Sequence, residues 1–366
     1  MNTVSNIEAA CVASSSFDDQ FRVPSVSVIL TNYNYLSFVK AAIESVARQT
    51  YPHFECIIVD DRSRDGSAEF ITTFLRELND DRFRFIRLGS NLGQMGAMLA
   101  GLENSSGVFV SFLDADDVLL PNFLEVHIRA HLNSSFSAGI TASDSYQIDE
   151  DGQILESTFH MLAKNRTPDS SSASKLIPVT AVPVSVSTAV ERHPSAQMEF
   201  LYLERGVAGW NTSACSSLMF RRDLLRLILP QNIGPFRICA DYFFATLGHL
   251  ISGTIIVSEP LVGWRLHRKN NFSKNAIIGG RYMPATFDRS SALNFEIARY
   301  VMTNFDRLSP VIGATLCKDI VRRFVSKKRL YKATKGANSF RRYMGSGSDR
   351  KFWWKYAVYH RYIKRH

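Results

Sequence analysis

The chain runs in two rhythms of apolar and polar positions. "VSVILTNYN" (26–34) is a short β-branched run that breaks into polar residues, the pattern of a buried strand. "YLSFVKAAIESVARQTY" carries apolar residues at helical spacing and stops before Pro52. "FECIIVDD" predicts a second buried strand ending in carboxylates and "SAEFITTFLREL" a helix. "FRFIRL" predicts a third strand, "QMGAMLAGLENS" a third helix and "GVFVSFLDADD" a fourth strand. Strands alternating with helices at this pace predict βαβ units, and so an α/β fold with a mostly parallel, Rossmann-like sheet flanked by helices. In such sheets ligands sit beyond the carboxyl ends of the strands. Polar clusters fall at those ends here: Thr31 to Asn34, Asp60 to Asp61, Asn91 to Gly93 and Asp114 to Asp117. One cluster alone is as readily a helix cap as a site. Four of them point to one shared edge.

Further along, "NFLEVHIRAHL" predicts a helix, and "AGITASDSYQIDEDGQIL" a strand, a loop and a hairpin with "EDG" as its turn. Residues 165–197 are rich in Ser, Pro, Thr and Val with little periodicity, a long excursion of the functional or disordered kind. "GWNTSACSSLMFRRDLLRLI" predicts strand then helix, "ADYFFATLGHLIS" a helix and "TIIVSEPLVGWRLH" a strand pair. From about residue 281 the pattern is helical and basic. The expected division is a disordered leader over 1–22, two halves over 23–125 and 126–280, and a basic helical region over 281–366.

Composition changes this picture in two places. The leader lacks the basic start and apolar core of a secretory signal, and no stretch of about 18 apolar residues occurs. Five cysteines are scattered without metal spacing, which argues for a reducing compartment. The expected setting is cytoplasmic. The net charge is +9, but from Cys317 onward 16 Lys/Arg face two acidic residues, a net of +14 that leaves −5 on residues 1–316. The basicity belongs to the C-terminal region, not to the body of the protein. Its Lys/Arg residues alternate with Trp, Tyr and Phe, which suits an anionic membrane surface, a basic helix packed on the core or, third, nucleic acid.

The sharpest chemistry lies in "FLDADDVLLP", which sets Asp114, Asp116 and Asp117 within four positions. Like charges this close raise one another's pKa and cost stability unless a cation sits among them. Either this is a solvated turn with a helix start, or a divalent ion belongs here, in which case Asp117 points away from it and caps the next helix.

Taken together and in order, "VSVILTNYN", "IIVDDRSRDGS", "NLGQMGAMLAGL", "FLDADDVLLP" and "ADYFF" resemble the family 2 glycosyltransferases, over roughly residues 25–270. The resemblance implies the GT-A fold, with 23–125 as the nucleotide-sugar-binding half, 126–280 as the acceptor-binding half, and mostly inverting transfer. It implies that Asp116 binds Mn²⁺ or Mg²⁺ and that Asp114 lies at the ribose and ion. It places Asp60 and Asp61 at the nucleotide, the second accepting from the base, which fits the imide N–H of uracil and so a UDP-sugar. Thr31 and Tyr33 would frame the base, and Asn91 and Gly93 would open a helix near the phosphates. Asp241, in "RICADYFF", is the implied general base, although Ala240 stands where relatives often have an acid. Within "VGWRLHRKNNFS", Arg265 is the candidate diphosphate contact and His267 a candidate metal ligand, since imidazole suits Mn²⁺. Trp210 offers a face for a sugar or a core packing residue. The third helix lacks the basic residue many relatives carry there. The implied acceptor is a glycan or lipid-linked saccharide, as in polysaccharide and cell-envelope biosynthesis. A non-catalytic nucleotide-sugar-binding module and a nucleotidyltransferase remain alternatives. The second is disfavoured because no Gly-rich, Lys-bearing phosphate loop follows the first strand.

Overall fold

The computed structural model describes residues 22–157, 176–179, 200–206, 214–268, 270, 289–326, 330, 333–334 and 336–346. The leader, most of the 165–197 excursion, Trp210 and the last twenty residues lie outside the described residues. In the first half β1 (Val26–Asn32), α1 (Val39–Ala47), β2 (Phe54–Asp60), α2 (Ser67–Leu78), β3 (Phe83–Arg87), α3 (Gly93–Glu103) and β4 (Phe109–Asp114) follow the predicted order. Their strands are apolar throughout because both faces are covered. Along β1 the period of two sends Val26, Val28 and Leu30 into one core with Ile43 and Val46 of α1. Ile29 enters the opposite core with Met95 and Met98 of α3. Each such side chain removed completely from water contributes about 1.5–3 kcal/mol.

The second half supplies β5 (Val118–Leu119), α4 (Phe123–Asn133), β6 (Ile140–Ile148), β7 (Ile154–Ser157), β8 (Leu176–Val179), β9 (Phe200–Leu203), β10 (Leu218–Arg221), α5 (Arg222–Leu227), α6 (Ala240–Ser252) and β11 (Thr254–Arg265). All eleven strands join one sheet, ordered β3-β2-β1-β4-β10-β6-β11-β9-β8, with β5 on β11 and β7 on β6. The parallel arrangement holds for β3-β2-β1-β4 and for β6-β11. The pairs made by β10, β9, β7 and β5 are antiparallel, so the whole sheet is mixed. The turn at 149–152 forms as expected, with Gly152 at positive φ. The expected strand pair over 254–267 is instead one strand. Its ladder with β6 shifts register on either side of Pro260 and resumes at Val262, so the proline marks a bulge and not a turn.

After this come α7 (Arg289–Thr303), α8 (Phe305–Ile312), α9 (Ala314–Phe324) and α10 (Asn338–Ser346). They share the core behind α6: Phe243 and Tyr300 meet edge to face at 5.2 Å, and Phe305 meets Phe340 at 5.4 Å. This part of the basic region is therefore a packed layer of the fold. Among the described residues no helix is long and apolar enough to cross a membrane.

Candidate active site

Register brings the strand ends level. Thr31 of β1 pairs with Asp114 of β4, and Asn32 pairs with Asp60 of β2. Thr31 Oγ1 donates to Asp114 Oδ1 at 3.3 Å. Tyr33, the next aromatic along, is 45% exposed at the mouth of this edge.

Asp60, expected at the nucleotide, is a structural brace instead. It is 0% exposed; its Oδ1 accepts from Asn32 Nδ2 at 2.8 Å and its Oδ2 from the Ser63 amide at 3.0 Å. Those bonds tie the loops after β1 and β2 together and leave the carboxylate out of a ligand's reach. Asp61 points toward α3. Its two oxygens accept from the amides of Leu92 (2.6 Å) and Gly93 (2.8 Å), and Asn91 Nδ2 donates to its carbonyl at 3.0 Å. This satisfies amides that a helix start leaves without partners. Burial pushes the Asp61 carboxyl up, while the two amides and the nearby Arg237 draw it back. Gly93 adopts φ +75°, and a Cβ there would stand 2.5 Å from the Arg237 carbonyl oxygen. The guanidinium of Arg237 bonds to the side-chain and backbone oxygens of Asn91. The expected pair Asn91 and Gly93 thus forms a joint between the halves of the chain.

The three carboxylates of the fourth strand end diverge. Asp114 is pushed up to about 7 by burial, by Asp116 and by Asp241. Its amide donates to Ser216 Oγ at 3.1 Å, and that hydroxyl donates to Asp117 Oδ2 at 2.7 Å. Asp117 is not the cap of the next helix: α4 starts at Asn122 without a side-chain cap. Instead its Oδ1 accepts from the Arg265 amide at 2.9 Å, holding β11 against the site. Burial and its two acidic neighbours keep Asp117 well above the usual carboxylate range. Asp116 Oδ2 lies 3.0 Å from His267 Nε2. The imidazole is held by Phe38 at 4.8 Å and, edge on, by Tyr35 at 5.5 Å between centroids. Burial and the three acids raise the Tyr35 hydroxyl, which lies within hydrogen-bond reach of Asp116.

Arg265 is not free for a diphosphate. Its Nε donates to the Asp116 carbonyl and its Nη1 to the carbonyls of Asp149 and Glu150, each at 2.8 Å, and its head lies over Phe38 at 5.1 Å. It is buried and clamps the loop after β4 to the 149–150 turn.

Asp241 stands in the first turn of α6, where its carboxyl accepts from its own amide and that of Tyr242. Burial nevertheless raises it to about 6. Asp241 is close enough for its charge to help raise Asp114. Between them lies Gln94. Its Nε2 makes a long bond of 3.4 Å to Asp114 Oδ1, and its Oε1 accepts from the amides of Cys239 (3.2 Å) and Ala240 (3.1 Å). Sequence reasoning missed Gln94, Ser216, Tyr35 and Arg237. Ser216 and Arg237 carried only weak signals, a small polar run before a strand and a cation four residues before Asp241.

Among the described residues no group of three or more His, Cys, Asp and Glu side chains is already gathered as a ligand set. Asp116 with His267 offers one hard oxygen and one imidazole nitrogen, and Asp114 stands beside them. Three carboxyls crowd here, two of them pushed up by burial and by one another, and the guanidinium of Arg265 beside them is spent on carbonyls. Such a donor set fits a divalent ion that takes its remaining ligands from phosphate and water.

Residues 27–185 match the family described as glycosyl transferase family 2. An uncharacterized glycosyltransferase of Nostoc sp. (strain PCC 7120) is 31% identical over 67% of this chain and 66% of its own length. The putative teichuronic acid biosynthesis glycosyltransferase TuaG of Bacillus subtilis is 33% identical over 37% of this chain and 53% of its own. The Escherichia coli UDP-Glc:alpha-D-GlcNAc-diphosphoundecaprenol beta-1,3-glucosyltransferase WfgD is 32% identical over 38% of this chain and 55% of its own. The chain thus spans just under two thirds of the first relative and about half of the other two. The solved structure of S. aureus TarS 1-349 with UDP superposes loosely, with TM-score 0.49 and 16% identity over 85% of this chain and 74% of that one. The matched region, residues 27–185, thus belongs to glycosyl transferase family 2.

Proposed function

We propose that this chain is a metal-dependent inverting glycosyltransferase. It moves a sugar from a nucleotide-diphosphate donor, with UDP as the nucleotide, to a hydroxyl of a glycan or lipid-linked acceptor. The observation that carries the reading is the meeting of Asp114, Asp116 and Asp241, from both halves of the chain, at one sheet edge. The name of the E. coli relative, which couples a UDP-sugar with a diphosphoundecaprenol acceptor, supports the choice of substrates.

In this reading residues 23–125 hold the donor and 126–280 the acceptor. The exposed Tyr33 ring stacks on the base beside Thr31, and Asp61 accepts its imide proton through a remaining lone pair. Asp114 faces the ribose. Asp116 and His267, with Asp114, are the residues that would hold Mn²⁺ or Mg²⁺. When bound, the ion supplies Lewis-acid stabilisation of charge on the departing diphosphate. Asp241 takes the proton of the acceptor hydroxyl while that oxygen bonds to the anomeric carbon. The bond from that carbon to the diphosphate oxygen breaks on the opposite face, so the configuration inverts and UDP leaves. A carboxyl raised to about 6 suits a base working near neutral pH. With Arg265 committed to carbonyls, Asp114, Asp116 and His267 would hold the group that offsets the diphosphate's charge. The basic region adds a further partner. On the outer side of that packed layer, Lys318, Arg341 and Arg342 of α9 and α10 would draw the protein to an anionic membrane surface on the cytoplasmic side.

Calorimetric titration with UDP and with GDP, with and without Mn²⁺, tests this. Metal-dependent binding of UDP but not GDP is expected. Binding of neither would overturn the reading of the strand-end acids. UDP binding with no cleavage or transfer of any UDP-sugar would leave a nucleotide-binding module.

A further inference from the structure

We propose that Gln94 is a positioning residue, which sets Asp241 against the donor site by capping the helix on which Asp241 stands. The inference rests on the reading of Asp241 as the base. A helix start leaves backbone amides without partners, and the N-cap side chain usually takes one of them. In α6 the N-cap is Cys239, which makes no side-chain cap and adopts left-handed geometry at φ 76°. That conformation is disfavoured for a residue with a Cβ, so this turn needs an outside hold. Gln94 supplies it from another element, 145 residues away, through Oε1 on the amides of Cys239 and Ala240. Asp241 follows directly.

The far end of the same planar amide donates to Asp114 Oδ1. One side chain therefore spans the donor carboxylate and the helix of the base. Its own position is fixed by the loop before it. Asp61 holds the amides of Leu92 and Gly93, and Arg237 grips Asn91 just upstream of Cys239. The two ends of Gln94 do separable work. The oxygen orients Asp241, while the nitrogen makes only a long bond to Asp114.

Two substitutions divide these ends. Gln94→Met keeps the length and loses both polar atoms. Gln94→Glu keeps an oxygen for the two amides but loses the donor and sets a negative charge beside Asp114. Three quantities are measured, the first two being amide hydrogen exchange over residues 239–243 and UDP affinity in Mn²⁺ by calorimetry. A third is UDP release from UDP-glucose and UDP-GlcNAc. Q94M is expected to exchange faster over 239–243 and to lose roughly 10- to 100-fold in kcat, as a base displaced by about an ångström would. Its UDP affinity should stay within about threefold, in keeping with one long hydrogen bond. Q94E should retain protection and kcat while binding UDP about tenfold more weakly, the effect of an added like charge. A merely structural role would move all of these together.

Wild-type protection over 239–243 in Q94M would overturn the proposal, as would loss of that protection in Q94E. If Q94M does not fold, Q94E alone decides between the same outcomes. Asp241→Asn, run in parallel, separates the two levels. Full turnover there refutes the base assignment. An inactive D241N beside a Q94M with wild-type kcat refutes only the role of Gln94.

Discussion

Asp241→Asn should make the protein both less active and more stable. The carboxyl is raised from the ordinary aspartate value of 3.8 to about 6, chiefly by burial, even though two amides hydrogen-bond to it. Because the folded pKa lies above the unfolded one, the folded state binds the proton more tightly. The contribution of this group is then most favourable below about pH 4 and is lost as pH rises through about 6. Full ionisation in the buried site costs up to about 3 kcal/mol, the shift converted at about 1.4 kcal/mol per pKa unit. Asparagine keeps an acceptor for one amide and carries no charge to desolvate. Urea denaturation of both proteins at pH 4, 6 and 8 measures the difference. The gap should be near zero at pH 4 and favour D241N by up to about 3 kcal/mol at pH 8. In a scanning experiment at pH 8 this amounts to about 4 °C for a chain of this size. Turnover should fall to background at every pH, and UDP affinity should stay nearly unchanged. A pH-independent gap, or a variant less stable than wild type at pH 8, would refute the assignment of a desolvated carboxylate.

Three further substitutions probe the same edge. Asp116→Ala should weaken Mn²⁺-dependent UDP binding at least about tenfold, or about 1.4 kcal/mol; unchanged affinity in calorimetry would remove Asp116 from the ion site. Gly93→Ala forces a Cβ onto the Arg237 carbonyl at φ +75° and should cost on the order of 1–3 kcal/mol of stability, together with UDP affinity. A neutral result in denaturant would mean the joint between Asn91 and Arg237 is loose. Ser216→Ala leaves the Asp114 amide and the buried Asp117 carboxylate each short of a partner, so about 1–3 kcal/mol should be lost. If stability does not change, Asp117 does not depend on that hydroxyl.

The first half of the fold was legible because each strand is buried on both faces and each helix shows its period. The polar residues at the strand ends were legible as a shared edge for the same reason. What could not be read was the assignment within a cluster. Asp60 and Asp61 are the same residue type in adjacent positions, yet one braces two loops and the other caps α3. That difference is set by Asn32, Ser63, Leu92 and Gly93, which only the folded register brings near. Arg265 looked like a phosphate ligand because its charge is local information, whereas the carbonyls of Asp149 and Glu150 that occupy it are not. Ser258, Glu259 and Pro260 carry turn chemistry, but the strand continues through them because β6 pairs with it before and after the bulge, while its other edge pairs with β9 before and β5 after. Gln94 gave no signal, since its partners on α6 lie far along the chain.

The place of β10 has a consequence for synthesis. It is the strand that lies between β4 and β6, pairing antiparallel with both. As the chain leaves the ribosome, the β4 edge stays open until β10 emerges roughly a hundred residues later. At about 5–20 residues per second that is on the order of 5–20 s, during which a hydrophobic sheet presents an unpaired border. Nascent protein truncated before residue 218 should therefore be the form that chaperones hold and that aggregates when they are scarce. Chains extended past residue 221 close the β4 edge, and chains extended past residue 265 add β11 beside β6, so both tendencies should fall in those two steps.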